Sequence, residues 1–255
     1  MRMFMAGMSE YFSDLLRIHR YSPEKRVFQL ASLELAQSCV RIRDELGIPI
    51  VGFDLAGQEL GYPAEDHREA YQYAQKNFLK KTVHAGEAYG PESIFQAISV
   101  RYADRLGHGF YLTDTSMIAD PSIKDRERYV EALVEYVADR RITVEVCLTS
   151  NMQTNPAIGE LSNHAFRKMR DHRLSVTFCT DNRLVSNTTV THELELAAQL
   201  MQGDMYNLKN SIIYGFKRSF FPGSYLKKRQ YVRRVIDYYE EVELRHVELQ
   251  RKGGE

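Results

Sequence analysis

TVHAGEAYG, residues 82–90, is the stretch from which the fold of this chain can be read. A β-branched run, Lys81–Ala85, leads into it and a helical stretch, Glu92–Tyr102, leads out. A histidine leaving a strand end can point its imidazole into the mouth of a barrel, with the carboxyl of Glu87 close behind it. The same pattern recurs in both directions. Short β-rich runs fall at Met3–Met8, Pro49–Leu55, Asp104–Gly107, Ile142–Leu148 and Ser175–Thr180, each bounded by turn residues. Helical spacing fills the intervals at Ser32–Glu45, Ala64–Asn77 and Asp125–Arg140. After the last strand it continues at Thr191–Gln202, Met205–Phe216 and Tyr225–Gln250.

Strand–helix alternation of this kind builds a parallel sheet with helices packed outside it. The strands are short and β-branched, as strands buried on both faces should be. A dinucleotide-binding sheet would carry Gly-x-Gly-x-x-Gly after a strand, and none is present. Polar residues gather instead at the C-terminal strand ends: Asp54, His84, Glu87, His108, Ser150, Asn151, Asp181 and Asn182. Barrel enzymes build their sites at that end. The expectation is an α/β fold of the (β/α)8 TIM-barrel type, a single domain over residues 1–255 with about six of its eight βα units.

Composition removes several classes of function. Lys+Arg and Asp+Glu balance at 34 each, so no global field draws in nucleic acid or an anionic membrane. There is no apolar run long enough for a membrane span. Three widely spaced cysteines, Cys39, Cys147 and Cys179, argue against a disulfide framework and for a reducing, cytoplasmic compartment. No Cys-x-x-Cys is present, which excludes the cytidine-type zinc deaminases.

Taken singly, each chemical signal has a plain alternative. His84 and Glu87 could be ordinary strand-end residues, and His108, between Gly107 and Gly109, could be a turn histidine. Asp181 or Asn182 could cap the turn that follows them. Asp54 likewise ends a strand, and Gly57 just after it would let a ligand approach the backbone. Together, at successive strand ends, they point to a mononuclear zinc hydrolase, because a carboxylate there can complete a metal shell or orient a water.

TVHAGEAYG, DRLGHGF, EVCLTSN, VGFDLAG and VTFCTDNRLVSNTTVTHEL are also similar, in order and spacing, to the signature segments of the adenosine deaminase family. The resemblance implies a (β/α)8 barrel that hydrolyses the 6-amino group of adenosine or 2'-deoxyadenosine to inosine and ammonia. It implies His84 and Asp181 as ligands of one Zn2+ per chain, and Glu87 as donor of a proton to purine N1. His108 would take a proton from the attacking water, which Asp181 also holds. The Gly57 N–H would bind purine N3, Asn182 would face N7, Asp54 would complete the substrate side, and Ser150 and Asn151 would support the network. Glu87 would need a raised pKa in a dry pocket to be protonated when required.

The pattern departs from the family in one respect that matters. The family's first barrel strand carries His-x-His followed by Leu-Asp-Gly, yet no two of this chain's eight histidines are separated by a single residue. MFMAGM is similar to the family's third strand, so the expectation is a chain truncated by its first two βα units, with exposed sheet edges that favour self-association. His19 and His67 read as exposed rather than ligating, and His108 could be drafted as a ligand only by losing its other role. Many members also carry Asp-Asp where this chain has Asp181 and Asn182. Three readings therefore stay open: zinc-dependent deamination of adenosine, an inactive deaminase-like chain, and a sister deaminase acting on adenine or another adenosine-like metabolite. For the last, Arg17, His19 and Arg20 in the expected loop Glu10–Lys25 are candidate contacts, although a solvated helix face explains them better.

Overall fold

The computed structural model describes residues 13–253, so the run Met3–Met8, read as a strand, lies outside the described residues. Five strands form one parallel sheet: β1 Gly52–Leu55, β2 Lys80–Ala85, β3 Arg105–His108, β4 Thr143–Val146 and β5 Val176–Phe178. Their spatial order is their chain order, β1-β2-β3-β4-β5. The helices run α1 Ser13–Ile18, α2 Glu24–Leu46, α3 Arg68–Lys76, α4 Pro91–Ser99, α5 Arg126–Asp139, α6 Leu148–Thr154, α7 Phe166–Asp171, α8 Arg183–Ser186, α9 Val190–Leu200, α10 Met205–Arg218 and α11 Tyr225–Gly253. Successive parallel strands joined by helices give the winding of a (β/α)8 barrel, but the sheet does not close among the described residues, where β1 and β5 are its edges.

Side-chain alternation divides the sheet into two chemically distinct faces. Leu55, Val83, Ala85, Leu106, Val144 and Val146 point to one face, with no accessible surface, and form the core against the helices. Burying each large aliphatic side chain contributes roughly 1.5–3 kcal/mol. The alternate residues, Asp54, Thr82, His84, Arg105 and Glu145, share the other face, which is polar. There the Arg105 guanidinium pairs with Glu145 at 2.8 Å, and the Thr82 hydroxyl donates to the same carboxylate at 3.1 Å. Phe220, beyond α10, stacks under Arg105 with its ring centroid 3.8 Å from Cζ.

The elements are legible locally. Pro23 precedes α2, Gly47 ends it with a φ of 65°, and Val27, Ala31, Ala36 and Val40 form its buried face. The Asp125 carboxylate caps α5 by accepting from the Arg128 N–H at 3.0 Å. Of the expected loop Glu10–Lys25, the described residues hold α1, which carries Arg17 as the preferred helix-face reading has it, and the start of α2. One sequence expectation is corrected. His67, expected to be exposed, is 97% buried on the turn Ala64–His67, which packs against α2 and α4. Among the described residues no helix is long and apolar enough to cross a membrane.

Candidate active site

The C-terminal strand ends bring the expected residues to one place. A pocket of about 300 Å3 is lined by Gly57, His84, Glu87, His108, Ser150, Asp181 and Asn182, with Gln58, Gln153 and Val185 at its margins. A larger cavity of about 630 Å3 lies beside β5, among Phe178, Leu194, Ile212, Phe216 and Tyr231, but its apolar lining lacks acid–base groups suited to hydrolysis. The smaller pocket is therefore the candidate site.

His84 leaves β2 with its Nε2 3.6 Å from Asp54 Oδ2 on β1. Its ring meets that of His108 edge-on, with centroids 4.9 Å apart. Gly107 is paired beside His84 in the sheet, and a Cβ there would lie 2.6 Å from His84 Cδ2. The glycine before His108 thus serves the imidazole of the neighbouring strand. His108 itself has a φ of 64° and Asp181 a φ of 55°, left-handed conformations that non-glycine residues adopt at a cost. Both turn sharply off their strand ends, which is what delivers their side chains into the pocket.

Asp54 is not among the pocket-lining residues; it faces His84 instead. Burial, followed by the Glu145 charge, pushes its carboxyl up to about 6. Because 46% of that side chain remains exposed, solvent screens part of the effect. Asp181 accepts from the Ser150 hydroxyl at 2.8 Å. Asn151 Nδ2 lies 3.1 Å from His108 Nδ1, and His108 Nε2 lies 3.7 Å from Glu87 Oε2. Asn182 lines the pocket and also caps α8, its Oδ1 accepting from the Val185 N–H at 3.2 Å.

Three supports of this arrangement went unread in the sequence. The buried Glu59 carboxylate accepts the N–H groups of Gly86, Glu87, Ala88 and Tyr89 at 3.2, 2.8, 2.7 and 3.4 Å, and the Ser93 hydroxyl at 2.7 Å. It thereby moulds the loop that carries Glu87. Its one sequence signal is an acid just after Gly57, which resembles any surface loop. Glu193, fully buried on α9, accepts from Thr188 Oγ1 at 2.7 Å and from the Thr149 N–H at 3.2 Å. His164, also buried, reaches Asn151 from a loop.

The donor chemistry does not amount to a metal site within these residues. His84 and Asp181 share the pocket, but among the described residues no group of three or more His, Cys, Asp or Glu side chains is gathered to hold a metal ion. A catalytic zinc takes about three protein ligands.

The family model for adenosine deaminase matches residues 22–238 of this chain. The chain belongs to the adenosine deaminase family. An adenosine deaminase of Mycobacterium sp. (strain JLS) is 38% identical over 191 residues, covering 75% of this chain and 51% of that protein. The chain thus spans about half the length of the family relatives it matches. Among solved structures, the adenine deaminase of Arthrobacter aurescens superposes with a TM-score of 0.63 at 21% identity, covering 80% of this chain and 58% of that one. The N6-methyl-AMP deaminase of Arabidopsis thaliana gives a TM-score of 0.64 at 25% identity, covering 82% and 55%.

Proposed function

We propose that this deaminase-family protein hydrolyses the 6-amino group of adenosine or 2'-deoxyadenosine, with residues 1–255 acting as one barrel-type domain in the cytoplasm. The observation that carries this reading is the convergence of Glu87, His108 and Asp181 on one pocket of about 300 Å3, small enough to suit a nucleoside. In the reaction a C–O bond forms from water at C6 and the C–N bond breaks; the amino group leaves as ammonia with one added proton, and the second proton stays at ring N1 of the product. The Glu87 carboxyl would protonate ring N1 and so make C6 electrophilic, which a positioned acid improves by roughly 10²–10⁴-fold. Asp181, oriented by Ser150, would accept a proton from the attacking water. Gly57 and Asn182 would face the purine ring, while Asp54 would act on the site through His84. One zinc per chain belongs to this proposal, with His84 and Asp181 as two of its ligands and the others coming from outside the described residues. Copies meeting along the sheet edges are one source of such groups.

The lack of a third metal donor among the described residues favours a second reading, in which the chain binds a purine without turning it over. The likeness to an N6-methyl-AMP deaminase brings a 5'-monophosphate of the AMP type into the comparison, and the likeness to an adenine deaminase brings in the smaller adenine. Zinc per chain and the fall in ultraviolet absorbance on adenosine, adenine and AMP separate these cases. Adenosine turned over fastest supports the proposal. Purine binding without turnover establishes the second reading, and faster conversion of AMP or adenine replaces the substrate.

A further inference from the structure

A line of hydrogen bonds runs from a backbone amide through two buried side chains to His108. The Phe166 N–H lies 3.0 Å from His164 Nδ1. A backbone N–H can only donate, so His164 Nδ1 is an acceptor, and a neutral imidazole then carries its proton on Nε2. Burial, then the proximity of His108, pushes the His164 pKa down to about 4, so the ring is neutral near pH 7. Its Nε2–H faces Asn151 Oδ1 at 3.3 Å. With the carboxamide oxygen engaged there, the Asn151 amino group is left to donate to His108 Nδ1 at 3.1 Å. All three side chains, His164, Asn151 and His108, are 98% buried, so no solvent competes for these positions.

We infer that His164 and Asn151 are positioning residues that fix neutral His108 as its Nε2–H tautomer, so that it presents a donor, not a lone pair, to the pocket. The only ring nitrogen of His108 that reaches toward Glu87 is Nε2, 3.7 Å from the carboxylate, and this is the nitrogen the relay protonates. In the deaminating reaction proposed above, on which the role of His108 rests, neutral His108 orients the attacking oxygen by donating to it, and Asp181 is left as the acceptor of the water proton. This reverses the role that the family resemblance implies for His108.

The test is the tautomer itself, read from the nitrogen shifts of ¹⁵N-histidine-labelled, purified protein without substrate, with His108 assigned by its loss in His108→Gln. The expected result is a protonated Nε2 and an unprotonated Nδ1 on His108; a protonated Nδ1 in the wild-type protein overturns the inference. Asn151→Asp supplies an acceptor on both sides and is expected to move the His108 proton to Nδ1, with kcat falling about 10²-fold and KM little changed. His164→Leu removes the donor that holds the carboxamide and should give a mixture of the two tautomers. Retention of a pure Nε2–H signal in both variants would show that the relay does not set the tautomer. Because the shifts are read without turnover, an Nε2–H signal in an inactive protein sinks the functional proposal and supports the relay. Turnover with an Nδ1–H signal does the reverse.

Discussion

Removing the Glu59 carboxylate should cost this protein about 4 kcal/mol of stability and loosen Glu87. Glu59 is 2% exposed and accepts five hydrogen bonds, four of them from consecutive backbone amides at Gly86–Tyr89. A hydrogen bond to a charged group contributes about 1.5–3 kcal/mol, so a plain sum over five would rival the stability of a whole domain. The sum overcounts, because Glu87, Ala88 and Tyr89 are only half-buried and water can replace the lost acceptor there. The Gly86 N–H is buried, and the Ser93 hydroxyl faces the same oxygen. Two bonds not recovered from water, at about 2 kcal/mol each, give the figure for Glu59→Ala. Glu59→Gln keeps one acceptor but turns an amino group toward amide donors, and should lose about half as much. Urea denaturation of both variants reads these losses directly. A loss below about 1 kcal/mol in Glu59→Ala would refute the view that this carboxylate moulds the loop.

Three further outcomes follow from the same geometry. Gly107→Ala should lower kcat by about 10²-fold with a modest loss of stability, because the new Cβ lies 2.6 Å from His84 Cδ2 and 3.2 Å from its Cα; steady-state kinetics beside thermal unfolding checks this. Arg101→Ala should cost about 3 kcal/mol by urea unfolding, since this fully buried guanidinium donates to the Ala64 carbonyl and the Glu65 carboxylate, both at 2.7 Å, and leaves both acceptors behind. His164, ordinarily near 6.5 and held at about 4 by burial and by His108, is neutral in the fold while the unfolded chain protonates it first. Its contribution is therefore complete above pH 6.5 and is lost as pH falls toward 4, by up to about 3 kcal/mol, and His164→Leu should flatten that part of the stability–pH curve.

Hydrophobic pattern carried the fold because each strand lies in a short β-rich run bounded by turn residues, and five of the six runs read in the sequence are strands in the expected order. The sixth, Met3–Met8, lies outside the described residues. The meeting of the candidate residues was legible for a related reason: parallel strands deliver their C-terminal ends to one face, so His84, Glu87, His108 and Asp181, far apart in sequence, line one pocket. The supports were not. Glu59 and His164 sit in loops where neither periodicity nor a neighbouring motif marks them, and their meaning lies in contacts to residues 13–34 positions away. His67 was misjudged because a turn rich in charge looks solvent-facing until helices close over it. Asn182 shows the opposite limit, since the capping and pocket-lining readings hold together in one side chain.

The most direct test of the central claim is the conversion of adenosine to inosine by wild-type protein and by Glu87→Gln, followed as ultraviolet absorbance in preparations of equal zinc content. Turnover in the wild type that falls by at least about 10²-fold in Glu87→Gln is the predicted result. A zinc-loaded wild-type protein that leaves adenosine unchanged, or a Glu87→Gln variant as fast as the wild type, would contradict it.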